Sequence, residues 1–132
     1  MNNLKTVQEI YAAFGRGDIP AILTQLDDSV DWEYGARPSN VPWLQHKKGP
    51  AEAKKFFDSL SELEIRSFVP KTFLESPGIV VALCDIDCTV KKTGKAIVEE
   101  DEAHIWYFNS AGRVVRFRHR VDTHLQMTAW QG

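Results

Sequence analysis

The chain has no positive charge to spare. Sixteen lysines and arginines face eighteen acidic residues, a formal net charge of −2, so it lacks the field that holds nucleic acid or an anionic membrane surface. Neither partner is expected. No apolar run is long enough to span a bilayer. The opening Met-Asn-Asn-Leu-Lys-Thr has no basic stretch leading into an apolar core, so no secretory signal is expected and the cytoplasm is the default compartment. Glycine-rich phosphate loops and a Ser-His-Asp order are missing, which leaves nucleotide hydrolysis and acyl transfer without support. Internal repeats and low-complexity segments are missing too. There are only two cysteines. Cys84 and Cys88 fall in a run rich in β-formers, where four residues of extended chain span about 13 Å. A disulfide needs Cα atoms within about 7 Å, so the pair is expected to stay reduced.

What is present fits one domain, residues 1–132. That length buries an ordinary core without staples, and 43% hydrophobic with 26% charged residues is a globular composition. Leu4, Val7, Ile10, Tyr11 and Phe14 recur at helical spacing before Gly15 and Gly17, which predicts an amphipathic helix. Asp18 caps a second, short helix with Pro20 in its first turn and Ile22, Leu23 and Leu26 on its buried side. Val30 to Tyr34 alternates apolar with acidic residues, as a half-buried strand does, placing Trp32 and Tyr34 on its inner face. Residues 35–49 carry two prolines and no period, so they read as a loop long enough to act as a lid, with Trp43 on it. Pro50 opens a third helix lined by Ala53, Phe56, Phe57 and Leu60. Strands are expected over 64–74, with Pro70 at an edge or bulge, then over 79–91, 95–108 and 113–123. Helices followed by a meander predict an α+β fold, with helices on one face of a curved antiparallel or mixed sheet.

The last hairpin carries the chemistry. With 109–112 as its loop, counting back pairs Trp106 with Val115, His104 with Phe117 and Glu102 with His119. These side chains and Val121 then share the inner face, while Asp101, Ala103, Ile105, Arg116, Arg118 and Arg120 share the outer one. Glu102, His104 and His119 thus form an ionisable group inside an aromatic lining. A bulged turn at Lys92-Thr93-Gly94 directs Ala82, Cys84 and Ile86 inward and Asp85 and Asp87 outward; a two-residue turn reverses this.

Several segments in order carry a family resemblance: Val7-Gln8-Glu9-Ile10-Tyr11-Ala12-Ala13-Phe14 with Gly17-Asp18, the strand Val30 to Tyr34, Gly49-Pro50 before Phe56-Phe57, and Gly112-Arg113-Val114-Val115 running to Val121-Asp122-Thr123. In these the chain resembles the nuclear transport factor two-like superfamily, in its SnoaL-like and ketosteroid-isomerase-like branch. The resemblance implies a cone-shaped α+β domain around a mostly apolar pocket, often a homodimer. Ketosteroid isomerases place a tyrosine on the first helix, matched here by Ile10 with Tyr11 one residue on. Their catalytic base on the first strand is matched by Tyr34, and their second oxyanion donor by His104. SnoaL-type cyclases use a histidine and an acid from the last strands, matched by His104 and His119 with Glu102 or Asp122.

Two functions follow as expectations. One is proton-transfer chemistry on a small carbonyl compound, as an isomerase or cyclase. There His119 is the base, His104 stabilises the developing enolate, Glu102 orients a ring nitrogen and Tyr34 adds a hydrogen bond. The other is a non-catalytic binding or interaction module of the same fold. In both, Trp32, Trp43, Phe56, Trp106, Phe117, Val121 and Asp122 are the expected contacts for a small apolar or aromatic ligand. Two histidines and a carboxylate can bind a metal, but these lack the short-range pairing of familiar motifs; neither metal nor cofactor is expected. A homodimer through the outer sheet face is expected.

Overall fold

The computed structural model describes residues 2–33 and 39–131. Helix α1 (Asn3–Gly15) begins where the Asn2 side chain accepts the Lys5 N–H, and it buries Val7, Ile10 and Ala13. Gly17, at φ +74°, turns the chain out of it. Asp18 then caps α2 (Ile19–Leu23) by accepting the Ala21 N–H at 3.2 Å. This helix is shorter than its apolar spacing suggested. Leu26 does not belong to it but opens strand β1 (Leu26–Glu33), because its partner Val114 draws it into the sheet. A two-residue strand β2 (Lys47–Lys48) interrupts the expected loop and pairs with β1. Helix α3 (Gly49–Ser59) follows, with Gly49 at φ +79° close against the Asp28 carbonyl.

The sheet is completed by β3 (Leu63–Ser76), β4 (Ile79–Val90), β5 (Ala96–Phe108) and β6 (Val114–Arg120). Its order is β2-β1-β6-β5-β4-β3, with β1 parallel to β6 and every other pair antiparallel. The fold is α+β with an open, six-stranded mixed sheet. Pro70 lies on the outermost strand beside a register irregularity, where a missing N–H costs least. Gly94 adopts φ +73°, but the turn is one residue longer than expected, with Val90 donating to the Lys95 carbonyl; Ala82 and Cys84 point inward as expected and are fully buried. Both cysteines are free. No described helix is long and apolar enough to cross a membrane.

Two further expectations are corrected. The last strand stops at Arg120 instead of 123, and Thr123–Gln131 form helix α4. Asp122 sets that boundary: its carboxylate accepts the Leu125 N–H and its carbonyl the Gln126 N–H. The hairpin register also differs. Trp106 pairs with Phe117 and His104 with His119, because the turn moves the pairing by one residue, Asn109 donating to the Arg113 carbonyl, and an irregularity beside Tyr107 and Phe108 moves it by one more. A shift of two preserves the face, so Glu102, His104, Trp106, Phe117 and His119 still point inward, but buried Val114 takes the inner place expected of Val115.

A second bulge shapes β5. Cys84 pairs with Glu102 but Ile86 pairs with Glu99, so two residues on β5 oppose Asp85. Asp101 takes φ +60° there, its N–H donating to the Asp85 carboxylate while Lys71 bridges Asp85 and Asp101 at 2.7 and 2.8 Å. The extra residue resets the alternation. Buried Ile97 and buried Glu102 thereby face the same side despite their odd separation.

Candidate functional site

Between the sheet and helices α1 and α3 lies a cavity of about 80 Å³. A cavity of about 150 Å³ admits benzene, so the enclosed part here holds only a few heavy atoms. Ile65 lines it as well and is 37% exposed, so the cavity runs out to the surface beside β3. One wall is aromatic: Trp32 stacks on Phe117 at 4.2 Å between centroids, Phe117 meets Trp106 at 4.5 Å, and Phe56 closes on Trp32 at 5.5 Å. The rings form one packed surface, each supporting the next.

Against that wall sit the ionisable groups. Glu102, His104 and His119 are all buried. The Glu102 Oε1 accepts from His104 Nε2 at 2.7 Å and from His119 Nε2 at 3.0 Å. Burial alone would raise the Glu102 carboxyl, but the two imidazole hydrogen bonds prevail and hold it down to about 2. His104 moves down as well, because burial opposes its charged form more than the carboxylate favours it. A neutral His104 with its proton on Nε2 leaves Nδ1 as an acceptor. The Tyr11 hydroxyl, 2.7 Å away, fills that role as donor. Burial drives the Tyr11 pKa well above its ordinary value, so the hydroxyl keeps its proton. Trp106 Nε1 donates to the Tyr11 oxygen at 3.1 Å. The result is a directed chain from Trp106 through Tyr11 and His104 to Glu102, joined from the other side by His119.

Both His104 nitrogens are occupied. His119 is different: its Nδ1 is buried and has no partner among the described residues, nor do Glu102 Oε2 and Trp32 Nε1. The trio also offers three metal-ligating atoms within 4.8 Å of one another. Both Nε2 atoms are already engaged with the Glu102 carboxylate.

The other end of the cavity is closed by a second polar chain. Trp43 Nε1 donates to Gln126 Oε1 at 2.8 Å, and Gln126 Nε2 donates to Glu99 Oε1 at 2.7 Å. Trp43 is thus not on an open lid; it is buried, edge-on to Trp130, and lines the cavity from a fixed position.

Of the residues expected from sequence, Glu102, His104, His119, Trp32, Trp43, Phe56, Trp106 and Phe117 meet at this cavity. Val121 and Asp122 do not line it. The chain has left the strand by then, so Val121 packs into the second apolar cluster and Asp122 is an exposed cap. Tyr34 lies outside the described residues. Sequence reasoning missed Tyr11, Gln126 and half-buried Glu99. For Tyr11 a signal existed: a phenol on the buried stripe of a helix must find a partner for its hydroxyl. Tyr11, one residue after Ile10 on α1, is the residue that lines the cavity with its hydroxyl on His104.

Comparison with known proteins agrees with this geometry. A family model described as a SnoaL-like domain matches residues 7–117. No curated protein matches in sequence. Among solved structures, a nuclear transport factor two-like protein of unknown function from Burkholderia pseudomallei K96243 is 28% identical with a TM-score of 0.85, covering 100% of this chain and 99% of its own. TerC, crystallised with polyporic acid, is 22% identical with a TM-score of 0.81, covering 98% of each chain. A candidate isomerase from Bacillus subtilis is 21% identical with a TM-score of 0.75, covering 100% of this chain and 97% of its own.

Proposed function

The chain belongs to the SnoaL-like family, and from that premise we propose that it binds a small carbonyl compound and moves a proton on it, as an isomerase or cyclase does. The observation that carries this reading is the buried Glu102–His119 pair with its unpartnered Nδ1. With Nε2–H given to the carboxylate, His119 presents Nδ1 as a base, and the carboxylate stabilises the imidazolium that forms when it takes a proton. Both His104 nitrogens are engaged, so His104 positions Glu102 and couples it to Tyr11 instead of touching the ligand. The neighbour crystallised with polyporic acid and the candidate isomerase support a small-molecule role for this fold.

The test is deuterium exchange. Small ketones incubated with the protein in D2O should gain deuterium beside the carbonyl faster than in buffer, read by proton NMR. His119→Gln should reduce the excess rate at least ~100-fold, the usual worth of a positioned general base. Binding without exchange would favour the sequestering module, and neither would sink both.

The same reading includes a homodimer. On the outer sheet face Leu74, Val81 and Ile105 lie in one register row beside Leu83 and Ala103, and Leu74 is 55% exposed. An apolar row across three strands suits a two-fold partner.

A further inference from the structure

Buried charges in folded proteins are paired or hold a metal ion. The Glu102 carboxylate is buried and takes its hydrogen bonds from two imidazoles, and no lysine or arginine among the described residues lines its cavity. His104 and His119 are distant in sequence, so their spacing gives no metal motif. The sheet removes that distance. Strands β5 and β6 place the two histidines directly opposite one another, where cross-strand Cβ atoms lie about 4.5–5.5 Å apart, and Glu102 is two residues from His104 on the same face.

The donor set suits one class of ion. Two imidazoles and a carboxylate, with a further position open, are a ligand set of zinc. Glu102 Oε1 stands 2.7 and 3.0 Å from the two Nε2 atoms, and the three atoms lie within 4.8 Å of one another. A tetrahedral zinc ion with bonds of about 2.1 Å keeps its ligand atoms about 3.4 Å apart, so side-chain rotations of roughly 1 Å seat it. The cavity of about 80 Å³ beside them has room for water at the open position. The outer partners fit as well. A ligating histidine donates its other ring N–H, and His104 Nδ1 has the Tyr11 hydroxyl at 2.7 Å. That oxygen can accept from His104 while it accepts from Trp106 Nε1 at 3.1 Å, its own proton turning to the Cys84 sulfur 3.9 Å away. His119 Nδ1 has no protein partner among the described residues, which leaves its N–H to cavity water.

Resting on the acid/base reading of this trio, we infer that Glu102 Oε1, His104 Nε2 and His119 Nε2 form a zinc site whose occupation switches that chemistry off. Each imidazole stays neutral as its proton moves from Nε2 to Nδ1, so the ion replaces two N–H donors with no net proton released. His119 Nδ1, the base of the metal-free protein, becomes a donor. It can take no proton from a ligand until the ion leaves.

Zinc chloride titrated into the whole, chelator-washed protein against a chromogenic chelator tests this, with magnesium as the control ion. One zinc per chain should bind at micromolar concentration or below, and magnesium should not compete. Glu102→Gln and His119→Gln should each weaken binding at least ~100-fold, and Tyr11→Phe ~10-fold, the worth of an outer partner. His46→Gln, at an exposed histidine, should leave it unchanged. In wild type, imidazole ¹H–¹⁵N spectra should show both ring protons move from Nε2 to Nδ1 on adding zinc, a readout that decides even if a variant fails to fold. Ketone exchange in D2O should be lost at saturating zinc and return with excess chelator. Zinc binding no tighter than magnesium, ring protons that stay on Nε2, or exchange that persists at saturating zinc overturns the inference and leaves the acid/base reading standing. A metal-free protein that exchanges no ketone overturns that reading and the switch with it, whereas the zinc affinities and ring protons still decide the metal site.

Discussion

Glu102 takes a hydrogen bond from each of two imidazoles in a buried site, and this ties the protein's stability to acidity in two stages. The His104 pKa is lowered on folding, so the unfolded chain takes up that proton first, and stability falls as pH drops below the ordinary histidine value near 6.5. The Glu102 pKa is also lowered, from 4.5 to about 2, so its contribution is intact above 4.5 and is lost between there and about 2. Thermal unfolding midpoints measured from pH 8 to pH 3 should decline in both windows, and His104→Asn should remove the first decline. The thiols give a second prediction at this scale. Burial pushes Cys84 up to about 12 and Cys88 up to about 11, so neither is a thiolate at neutral pH. Iodoacetamide should label them only after unfolding; labelling of the native protein by mass spectrometry would contradict that. Tyr11, missed as a site residue, stood beside the matched position all along. Its hydroxyl faces His104 because one residue is about 100° of helix, a rotation that a match read along the sequence does not register.

At the scale of elements, the inner face of β5 depends on a bulge. Asp101 holds a left-handed backbone, which costs most L-residues ~1–2 kcal/mol and glycine almost nothing. Asp101→Gly should therefore leave stability within about 1 kcal/mol of wild type, losing only the exposed Lys71 pair. Asp101→Val should cost ~2 kcal/mol or more in urea unfolding. The bulge was not legible in the sequence: counting along the hairpin turned Glu102 inward, but the acids Glu99, Glu100 and Asp101 carry no apolar pattern to show where the alternation breaks. The hairpin around Gly112 was legible because its apolar and aromatic residues alternate over many positions, and a register error of two leaves all but Val115, whose inner place goes to Val114, on their proper side. Helix α4 was not, because its buried residues are Gln126 and Ala129, too polar and too small to mark a stripe. Gln126 matters all the same. Gln126→Leu would strand the buried Trp43 N–H and one Glu99 oxygen, so it should cost ~1–3 kcal/mol despite adding apolar surface, read by the same urea unfolding.

For the whole molecule, the outer sheet face sets the assembly expected in solution. Charge placed into the apolar row should disrupt it: Leu74→Asp with Ile105→Asp should sediment as a monomer at concentrations where wild type sediments as a dimer. Wild type sedimenting as a monomer at micromolar concentration would remove the dimer. The parallel pairing of β1 with β6 has its own consequence, in the order of folding. Trp32 meets Phe117 only after almost the entire intervening chain has been threaded into hairpins, and contacts so distant in sequence close slowly. The β3–β4–β5 meander is local and can zip first. The aromatic wall that joins Trp32 to the His119 strand is therefore a long-range part of the cavity, and it is complete only when β6 lies beside β1.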